Sequence, residues 1–233
     1  MVKLQWFTIA LAMRAHFTGK KQQSGEVWSF YFAPVEPYRW QAGQSVRLEI
    51  PGPYGPLEHR FSIASAPASG EVAITTRLSD SDYKQSLANL RPDDTAMLHG
   101  LEGDFVWRGS ELPHIFVAAG IGITPFHAII AERIAQGKDV RATLLYSSRD
   151  EPVVYGETLE NWSAKDTTLT LHSQRERITT ANILDQPHAK NRLIYLSGPS
   201  KMAGALYADL VAAGIPPAQI LQDLFTGQLP LDG

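Results

Sequence analysis

The chain has 233 residues, of which 44% are hydrophobic and 19% are charged, so it can bury a core. It has no cysteine, which excludes disulfides, thiolate zinc sites and cysteine-ligated iron–sulfur clusters within it. A formal net charge of −3 without a block of Lys or Arg gives no support for nucleic-acid binding, and no apolar run approaches the ~18 residues that a membrane span needs. Residues Met1 to Trp6 alternate like a strand and lack the apolar stretch of a signal peptide, which predicts a cytoplasmic protein.

The first half contains short segments rich in β-branched and aromatic residues, divided by Gly/Pro clusters such as residues 51–56. The predicted strands include Val27–Phe32, Ser45–Ile50, Glu71–Arg77 and Thr95–His99. A short helix is predicted at about Tyr83–Leu90. Several short strands at this spacing predict a small β-barrel.

From His114 onward the pattern changes to apolar strands that alternate with helical stretches. The predicted strands are Ile115–Ala118, Val140–Tyr146, Thr168–His172 and Leu193–Leu196, the predicted helices are Pro125–Gln136 and Ser200–Ala213, and residues 219–225 suit a last strand. This alternation is typical of a parallel α/β sheet. The boundary between the two halves is expected near Gly109–Pro113.

The strongest local motif follows the first of these strands, where Gly120 and Gly122 precede Thr124 and Pro125. Thr124 is predicted to cap a helix and Pro125 to occupy its first position. Two glycines before a helix N-terminus allow a phosphate to approach the free backbone N–H groups. A plain strand-to-helix turn is the alternative interpretation.

The next strand ends in Tyr146, Ser147, Ser148 and Arg149. An acidic residue there would hold a ribose hydroxyl pair, whereas hydroxyls followed by an arginine suit a 2′-phosphate. This favours NADPH over NADH, and a solvated loop arginine is the alternative.

In the first half, the segment from Glu58 to Pro67 places a cation, an aromatic ring and a hydroxyl at one strand end. His59 or Arg60 could hold a flavin phosphate, Phe61 offers a flat face, and Ser62 offers a donor. Taken alone, a strand with one Phe and one Ser is ordinary.

Together these segments resemble the ferredoxin–NADP⁺ reductase superfamily, whose flavin motif Arg-x-Tyr-Ser is followed by Gly-x-Gly-x-Thr-Pro. Further segments resemble the superfamily's motifs in the same order: Thr75–Arg77 with Tyr83–Leu87, Gly100–Phe105, Leu196–Pro199 and Asp223–Gly227. His59 stands at the family's arginine position, as in the ferric reductases and NADPH oxidases of the superfamily, so either His59 or Arg60 could serve the flavin phosphate.

The resemblance implies a six-stranded antiparallel flavin-binding barrel over residues 1–110 and a parallel-sheet NAD(P)H-binding domain over residues 111–233. It implies that Ser62 bonds flavin N5 and that Phe225 covers the flavin face that the nicotinamide must occupy. On the flavin side the implied contacts are His59, Arg60, Phe61, Ile63, Thr76, Arg77 and Lys84. On the nucleotide side they are Gly120, Gly122, Thr124, Pro125, Ser147, Ser148, Arg149, Gly198 and Pro199.

The implied function is hydride transfer from NAD(P)H to a bound flavin, FAD rather than FMN, with electrons passed to a separate carrier such as ferredoxin or flavodoxin. NADPH is the expected donor. The alternatives are a reductase of small acceptors (ferric complexes, quinones or free flavin) and a non-catalytic module of the same fold.

Overall fold

The computed structural model of the protein describes residues 12–224, so the strand expected at Met1 to Trp6 and the aromatic gate expected at Phe225 lie outside the described residues. None of the helices within this range has the length and apolar character that crossing a bilayer requires.

The first half folds into an antiparallel sheet of six strands in the order β4-β3-β6-β1-β2-β5. The strands are β1 Met13–Ser24, β2 Val27–Pro34, β3 Ser45–Gly52, β4 Gly55–Ser62, β5 Val72–Arg77 and β6 Thr95–Glu102, with helix α1 Asp82–Ala88 between β5 and β6. The two edge strands approach each other where the Ala64 N–H donates to the Ala73 carbonyl at 2.7 Å. The sheet therefore has the six antiparallel strands expected from the resemblance, and it forms a half-barrel.

The barrel encloses one apolar core because its strands alternate. In β3, Val46, Leu48 and Ile50 are buried, whereas Arg47 and Glu49 lie partly exposed on the other face. The Gly/Pro cluster forms the tight turn between β3 and β4, at which Tyr54 is exposed.

The second half is a parallel sheet of five strands in the order β11-β10-β7-β8-β9. The strands are β7 His114–Ala119, β8 Ala142–Ser147, β9 Leu169–Gln174, β10 Ile194–Gly198 and β11 Ile220–Leu224, and the helices are α2 Thr124–Ala135, α3 Gly156–Lys165, α4 Thr180–Leu184 and α5 Ser200–Ala212. The predicted α/β class is confirmed, and α3 and α4 are helices that the sequence did not predict.

Helices cover both faces of the parallel sheet, which explains its nearly continuous apolar strands. Along β7, Phe116 and Ala118 pack in the core that contains α2 and α3, while Ile115 and Val117 pack in the core that contains α4 and α5. The carboxyl ends of these strands consequently lie at one open edge, where ligands bind in folds of this kind.

Helix α2 begins differently from the prediction. Residues 120–123 form a 3₁₀ turn that continues directly into α2, so Thr124 is already the first helical residue and Pro125 the second. The Thr124 hydroxyl donates to the Ile121 carbonyl at 3.0 Å. The prediction that Thr124 caps the helix was wrong because the backbone before it is already helical.

The two sheets meet through polar contacts and stacked rings. Tyr155 directly precedes α3, and its hydroxyl is hydrogen-bonded to Thr75 Oγ1 and lies 3.1 Å from Ser29 Oγ. The ring of His127 stacks on Tyr155 at 3.9 Å and its Nδ1 donates to the Ala64 carbonyl at 2.7 Å. These contacts fix the barrel against the open edge of the parallel sheet.

Candidate cofactor site

Residues from one strand of the barrel and two neighbouring strands of the parallel sheet meet at one buried carboxylate. Ser62, the last residue of β4, donates its hydroxyl to Asp223 Oδ2 of β11 at 2.9 Å. Ser197 Oγ of β10 lies 3.5 Å from the same oxygen. Burial raises the pKa of the Asp223 carboxyl, although Ser62 and the charge of Arg60 oppose this effect. Asp223 therefore binds a proton more readily than an exposed aspartate does, at the point where the barrel meets the parallel sheet.

The sequence motif named Asp223 but gave it no role of its own. Its signal is an acidic residue in a last strand whose Ile220, Leu221 and Leu224 are apolar, which predicts a buried carboxylate with a specific partner. The partner could not be predicted, since Ser62 and Asp223 are 161 residues apart.

A second cluster lies on the barrel side of the site, around Phe61. The His59 ring stacks on Phe61 with centroids 4.7 Å apart, and the Lys84 ammonium lies 4.5 Å from the Phe61 centroid. Lys84 Nζ also donates to Thr76 Oγ1 at 2.5 Å. The structure thus brings together four of the predicted flavin contacts: His59, Phe61, Thr76 and Lys84.

Lys84 is a half-buried cation whose charge is not neutralised within residues 12–224. Its partners are a hydroxyl and aromatic rings, and no carboxylate of the described residues forms an ion pair with it. Burial lowers the pKa of Lys84 to about 8. A buried cation of this kind favours an anionic ligand.

Strand alternation separates Arg60 from this cluster. Arg60 Nε donates to Ser45 Oγ at 2.8 Å and lies 3.5 Å from Glu102 Oε2. His59 instead donates from Nδ1 to the Arg60 carbonyl at 2.8 Å, and burial lowers its pKa. Of the two alternatives for the flavin phosphate, only His59 shares the Phe61 and Lys84 face.

Two further predicted flavin contacts lie elsewhere. Arg77, at the end of β5, forms an ion pair with Asp150 of the parallel-sheet half at 2.5 Å. Ile63 is fully buried in the barrel core, and its N–H donates to the Gln44 carbonyl at 2.9 Å. Arg77 therefore links the two halves of the molecule in this structure.

The glycine loop after β7 packs directly on the end of β10. A Cβ on Gly122 would lie 2.4 Å from the Ser197 carbonyl oxygen, which no side chain tolerates. Gly120 has φ +54 and faces open space. Gly198 has φ +151 and is followed by Pro199 at the start of α5. The backbone at Gly120 is therefore accessible to a ligand, whereas Thr124 and Pro125 are buried.

The end of β8 carries the predicted 2′-phosphate residues. Ser147 Oγ donates to the Glu176 carbonyl at 2.7 Å, and Ser148 is buried with its hydroxyl accepting from the Asp150 N–H at 3.2 Å. Arg149 is exposed and forms no hydrogen bond or ion pair with the described residues. Both serine hydroxyls are therefore engaged by the protein, and Arg149 is the free group.

Two exposed arginines that were not predicted as site residues lie at the neighbouring end of β9. Arg175, which pairs with Glu151, and Arg177 follow this strand, and the Glu176 carbonyl between them receives the Ser147 hydroxyl. The sequence signal for them is two arginines directly after a predicted parallel strand. The end of this strand, β9, lies beside the end of β8.

Comparisons with known proteins agree with this geometry. The family model described as the oxidoreductase NAD-binding domain matches residues 116–207. Ferredoxin–NADP reductase B of Sorangium cellulosum is 32% identical over 137 residues, which cover 57% of this chain and 56% of the relative. The ferredoxin reductase component of 3-ketosteroid-9-alpha-monooxygenase from Mycobacterium tuberculosis is 27% identical over 203 residues, or 82% and 56% of the two chains. This chain thus spans little more than half the length of these curated relatives.

Solved structures show the same fold. The flavohem-like FAD/NAD binding domain of nitric oxide dioxygenase from Vibrio cholerae has a TM-score of 0.79 at 20% identity and covers 91% of this chain and 98% of its own. A ferredoxin NADP⁺ reductase from Neisseria gonorrhoeae with bound FAD and NADP has a TM-score of 0.76 at 17% identity, with the same coverage. In sequence and in fold, the chain is thus similar to the ferredoxin–NADP⁺ reductase superfamily of flavin-dependent oxidoreductases.

Proposed function

We propose that the chain binds FAD and NADPH and passes electrons from NADPH, through the flavin, to a separate electron carrier such as ferredoxin or flavodoxin. The observation that carries this proposal is the contact between Ser62, Asp223 and Ser197, because it joins the Phe61 cluster of the barrel to the glycine loop of the parallel sheet. The proposal assigns residues 1–110 to the flavin and residues 111–233 to the nucleotide.

The flavin assignment rests on charge and shape. Lys84 is a half-buried cation without a counter-charge in the described chain, and His59 lies on the same face. A flavin phosphate would supply the missing anion, so we assign Lys84, His59 and Thr76 to it. FAD is preferred over FMN because FAD appears in the names of the Vibrio and Neisseria structures.

The nucleotide assignment rests on the edge of the parallel sheet. The open backbone at Gly120 and the N-terminus of α2 suit a pyrophosphate, and Gly198 and Pro199 border the same edge. Arg149, Arg175 and Arg177 lie at the ends of adjoining strands, and a 2′-phosphate is the nucleotide group that needs such cations. This is our reason to propose NADPH rather than NADH.

The chemistry that a flavin supplies when bound is hydride acceptance from a nicotinamide, followed by release of electrons one or two at a time. The role of the chain is to orient and protect. Ser62 offers its hydroxyl at the junction, and Asp223 fixes the orientation of that hydroxyl. Burial raises the pKa of Asp223, so this carboxyl binds a proton more readily than an exposed one, and Ser62 Oγ is the atom that it contacts.

The carrier is proposed from the relatives. The Mycobacterium tuberculosis relative is named as a ferredoxin reductase component, and a relative from Pseudomonas putida is the electron transfer component of toluate 1,2-dioxygenase. The names of both relatives thus describe a component that delivers electrons to another protein.

The test is an anaerobic titration of the FAD-loaded protein with NADPH, followed by addition of ferredoxin or flavodoxin. We expect bleaching of the flavin absorbance by NADPH and its recovery when oxidised carrier is added. A protein that binds no flavin after incubation with FAD contradicts the proposal. Recovery with ferricyanide or a quinone but with neither carrier would replace the carrier by a small acceptor.

A further inference from the structure

A cavity of about 550 Å³ opens at the amino edge of the parallel sheet. Its walls include Pro113 before β7, Arg141 before β8, Thr168 before β9 and the loop that contains Pro187 and Arg192 before β10. The glycine loop lies at the opposite edge, about 20 Å away across a six-residue strand. The cavity is therefore separate from the candidate cofactor site.

The wall of this cavity contains a buried positive charge without a counter-charge. Arg192 is 4% exposed and donates Nε to the Pro113 carbonyl, Nη1 to Pro187, and Nη2 to both the His114 carbonyl and Thr143 Oγ1. All four acceptors are neutral, and no carboxylate within residues 12–224 forms an ion pair with it. Since a guanidinium has five N–H groups, one Nη1–H remains free.

A second arginine lies at the rim of the cavity. The Arg141 side chain is exposed and donates one Nη2–H to the Glu111 carbonyl, which leaves most of its guanidinium without a protein partner in the described chain. Burial, together with the charges of Arg192, Arg133 and Arg141, lowers the pKa of the neighbouring His114 to about 4. The charges of Arg192 and Arg141 therefore lie close together at this edge of the sheet.

The lining of the cavity selects for an anion with an apolar body. No Asp or Glu of the described residues lines it, whereas four threonines, Leu112, Pro113 and Pro187 do. Its volume lies within the roughly 300–1,000 Å³ that small-molecule sites occupy and exceeds the needs of a single inorganic ion. Charge-assisted hydrogen bonds to two arginines are the interactions that a carboxylate prefers.

We propose that this cavity binds a small organic carboxylate, held between Arg192 and Arg141 with its apolar part against Leu112 and Pro187. The ligand would occupy the opposite edge of the sheet from the nucleotide. Its binding is therefore independent of the cofactors.

The test is calorimetric titration of the full chain with benzoate, with its neutral isostere benzamide and with inorganic phosphate. We expect saturable binding of benzoate and at least about tenfold weaker binding of benzamide, because benzamide lacks the charge. Arg141→Gln should weaken benzoate binding about tenfold, whereas the control Arg91→Gln, at an exposed position of the barrel half, should leave it unchanged.

Equal affinity for benzoate and benzamide, unchanged affinity in Arg141→Gln, or binding of phosphate alone would each overturn the proposal. If Arg141→Gln does not fold, as judged by circular dichroism, the decision rests on Arg141→Lys and on added KCl. Arg141→Lys should retain binding, and KCl should weaken benzoate but not benzamide. Saturating NADPH should leave benzoate affinity unchanged, so this result is independent of the proposed electron transfer.

Discussion

At the scale of single residues, the site depends on a few polar side chains that have at most one hydrogen-bond or ion-pair partner in the described chain. Ser62 has Asp223, and Lys84 has Thr76, while Arg149 has none among residues 12–224. A side chain with one partner is the one whose removal is easiest to interpret, because few other contacts change with it. Three predictions follow from these three positions.

The first concerns Ser62→Ala. The hydroxyl is buried and not needed for the Phe61 and Lys84 cluster, so we expect the flavin to remain bound while its reduction by NADPH slows about ten- to hundredfold. Stopped-flow absorbance measures this rate. The control is Ser79→Ala, at an exposed position of the barrel half. An unchanged rate in Ser62→Ala would remove Ser62 from the reaction.

The second concerns Arg149→Gln. Loss of one charge-assisted contact to a 2′-phosphate should reduce the preference for NADPH over NADH by about ten- to hundredfold in kcat/KM. Steady-state kinetics with both nucleotides measure the ratio. If the ratio changes only in Arg177→Gln or Arg175→Gln, the phosphate is bound by the end of β9 instead.

The third concerns the pH dependence of flavin binding at Lys84. Burial lowers the pKa of Lys84 to about 8, and a bound phosphate favours the charged ammonium. Affinity for FAD should therefore be constant below pH 8 and fall as the pH rises above it, since a proton must then be taken up on binding. Fluorescence titrations across this range test the trend, and Lys84→Gln should bind weakly with no such decrease.

At the scale of elements, the glycine loop after β7 shows how close packing and backbone conformation impose different demands. Gly122 has no room for a Cβ because the Ser197 carbonyl lies 2.4 Å from its position. Gly120 has room but adopts φ +54. The two glycines of one motif are thus required for different reasons.

Substitution of each by alanine separates these reasons. Gly122→Ala should force the loop away from β10, lower the free energy of unfolding by about 1–3 kcal/mol and abolish NADPH binding. Gly120→Ala should cost only about 1–2 kcal/mol of backbone strain, with weaker but measurable NADPH binding. Urea denaturation and nucleotide titration on both variants provide the comparison. Equal effects would show that the contact with Ser197 does not matter.

The sequence predicted these elements to very different degrees. Strand β7, the two glycines and the start of α2 are determined by residues within the same short segment, so they could be predicted within a few residues. Helix α3 could not, because Leu159 and Trp162 are its main apolar contacts and the rest of its sequence is polar. Strand alternation predicts that the side chains of Arg60 and His59 lie on opposite faces of β4. The residues that each of them contacts depend on the neighbouring strands and could not be predicted.

At the scale of the whole molecule, the buried His114 and the partly buried His127 connect stability to pH. Burial lowers the pKa of His127 to about 4 and that of His114 to about 4, below the value of 6.5 for an unperturbed histidine. The unfolded chain therefore takes up protons below pH 6.5 that the folded chain does not. Stability that is complete above pH 6.5 is lost as the pH falls toward 4.

We expect His127→Gln to reduce this pH dependence. Gln can still donate to the Ala64 carbonyl but does not titrate. The loss of unfolding free energy per pH unit between pH 6.5 and 4 should therefore be smaller in this variant than in wild type, by about 1.4 kcal/mol. Urea unfolding at several pH values measures the slope. The matched control is His16→Gln, at a half-exposed position of β1. Parallel slopes in wild type and His127→Gln would contradict the assignment.

The order of the strands along the chain also has a consequence for synthesis. The barrel is complete in sequence once β6 ends at Glu102, whereas the central strand β7 acquires its second neighbour only when β10 ends at Gly198. At about 5–20 residues per second, the ribosome adds the intervening residues in roughly 5–20 s. We expect the barrel, with Phe61 and Lys84 in place, to fold on the nascent chain before the parallel sheet exists. Asp223 lies in β11, the last of the described strands to be synthesised, so its contact with Ser62 forms after the other strands are in place.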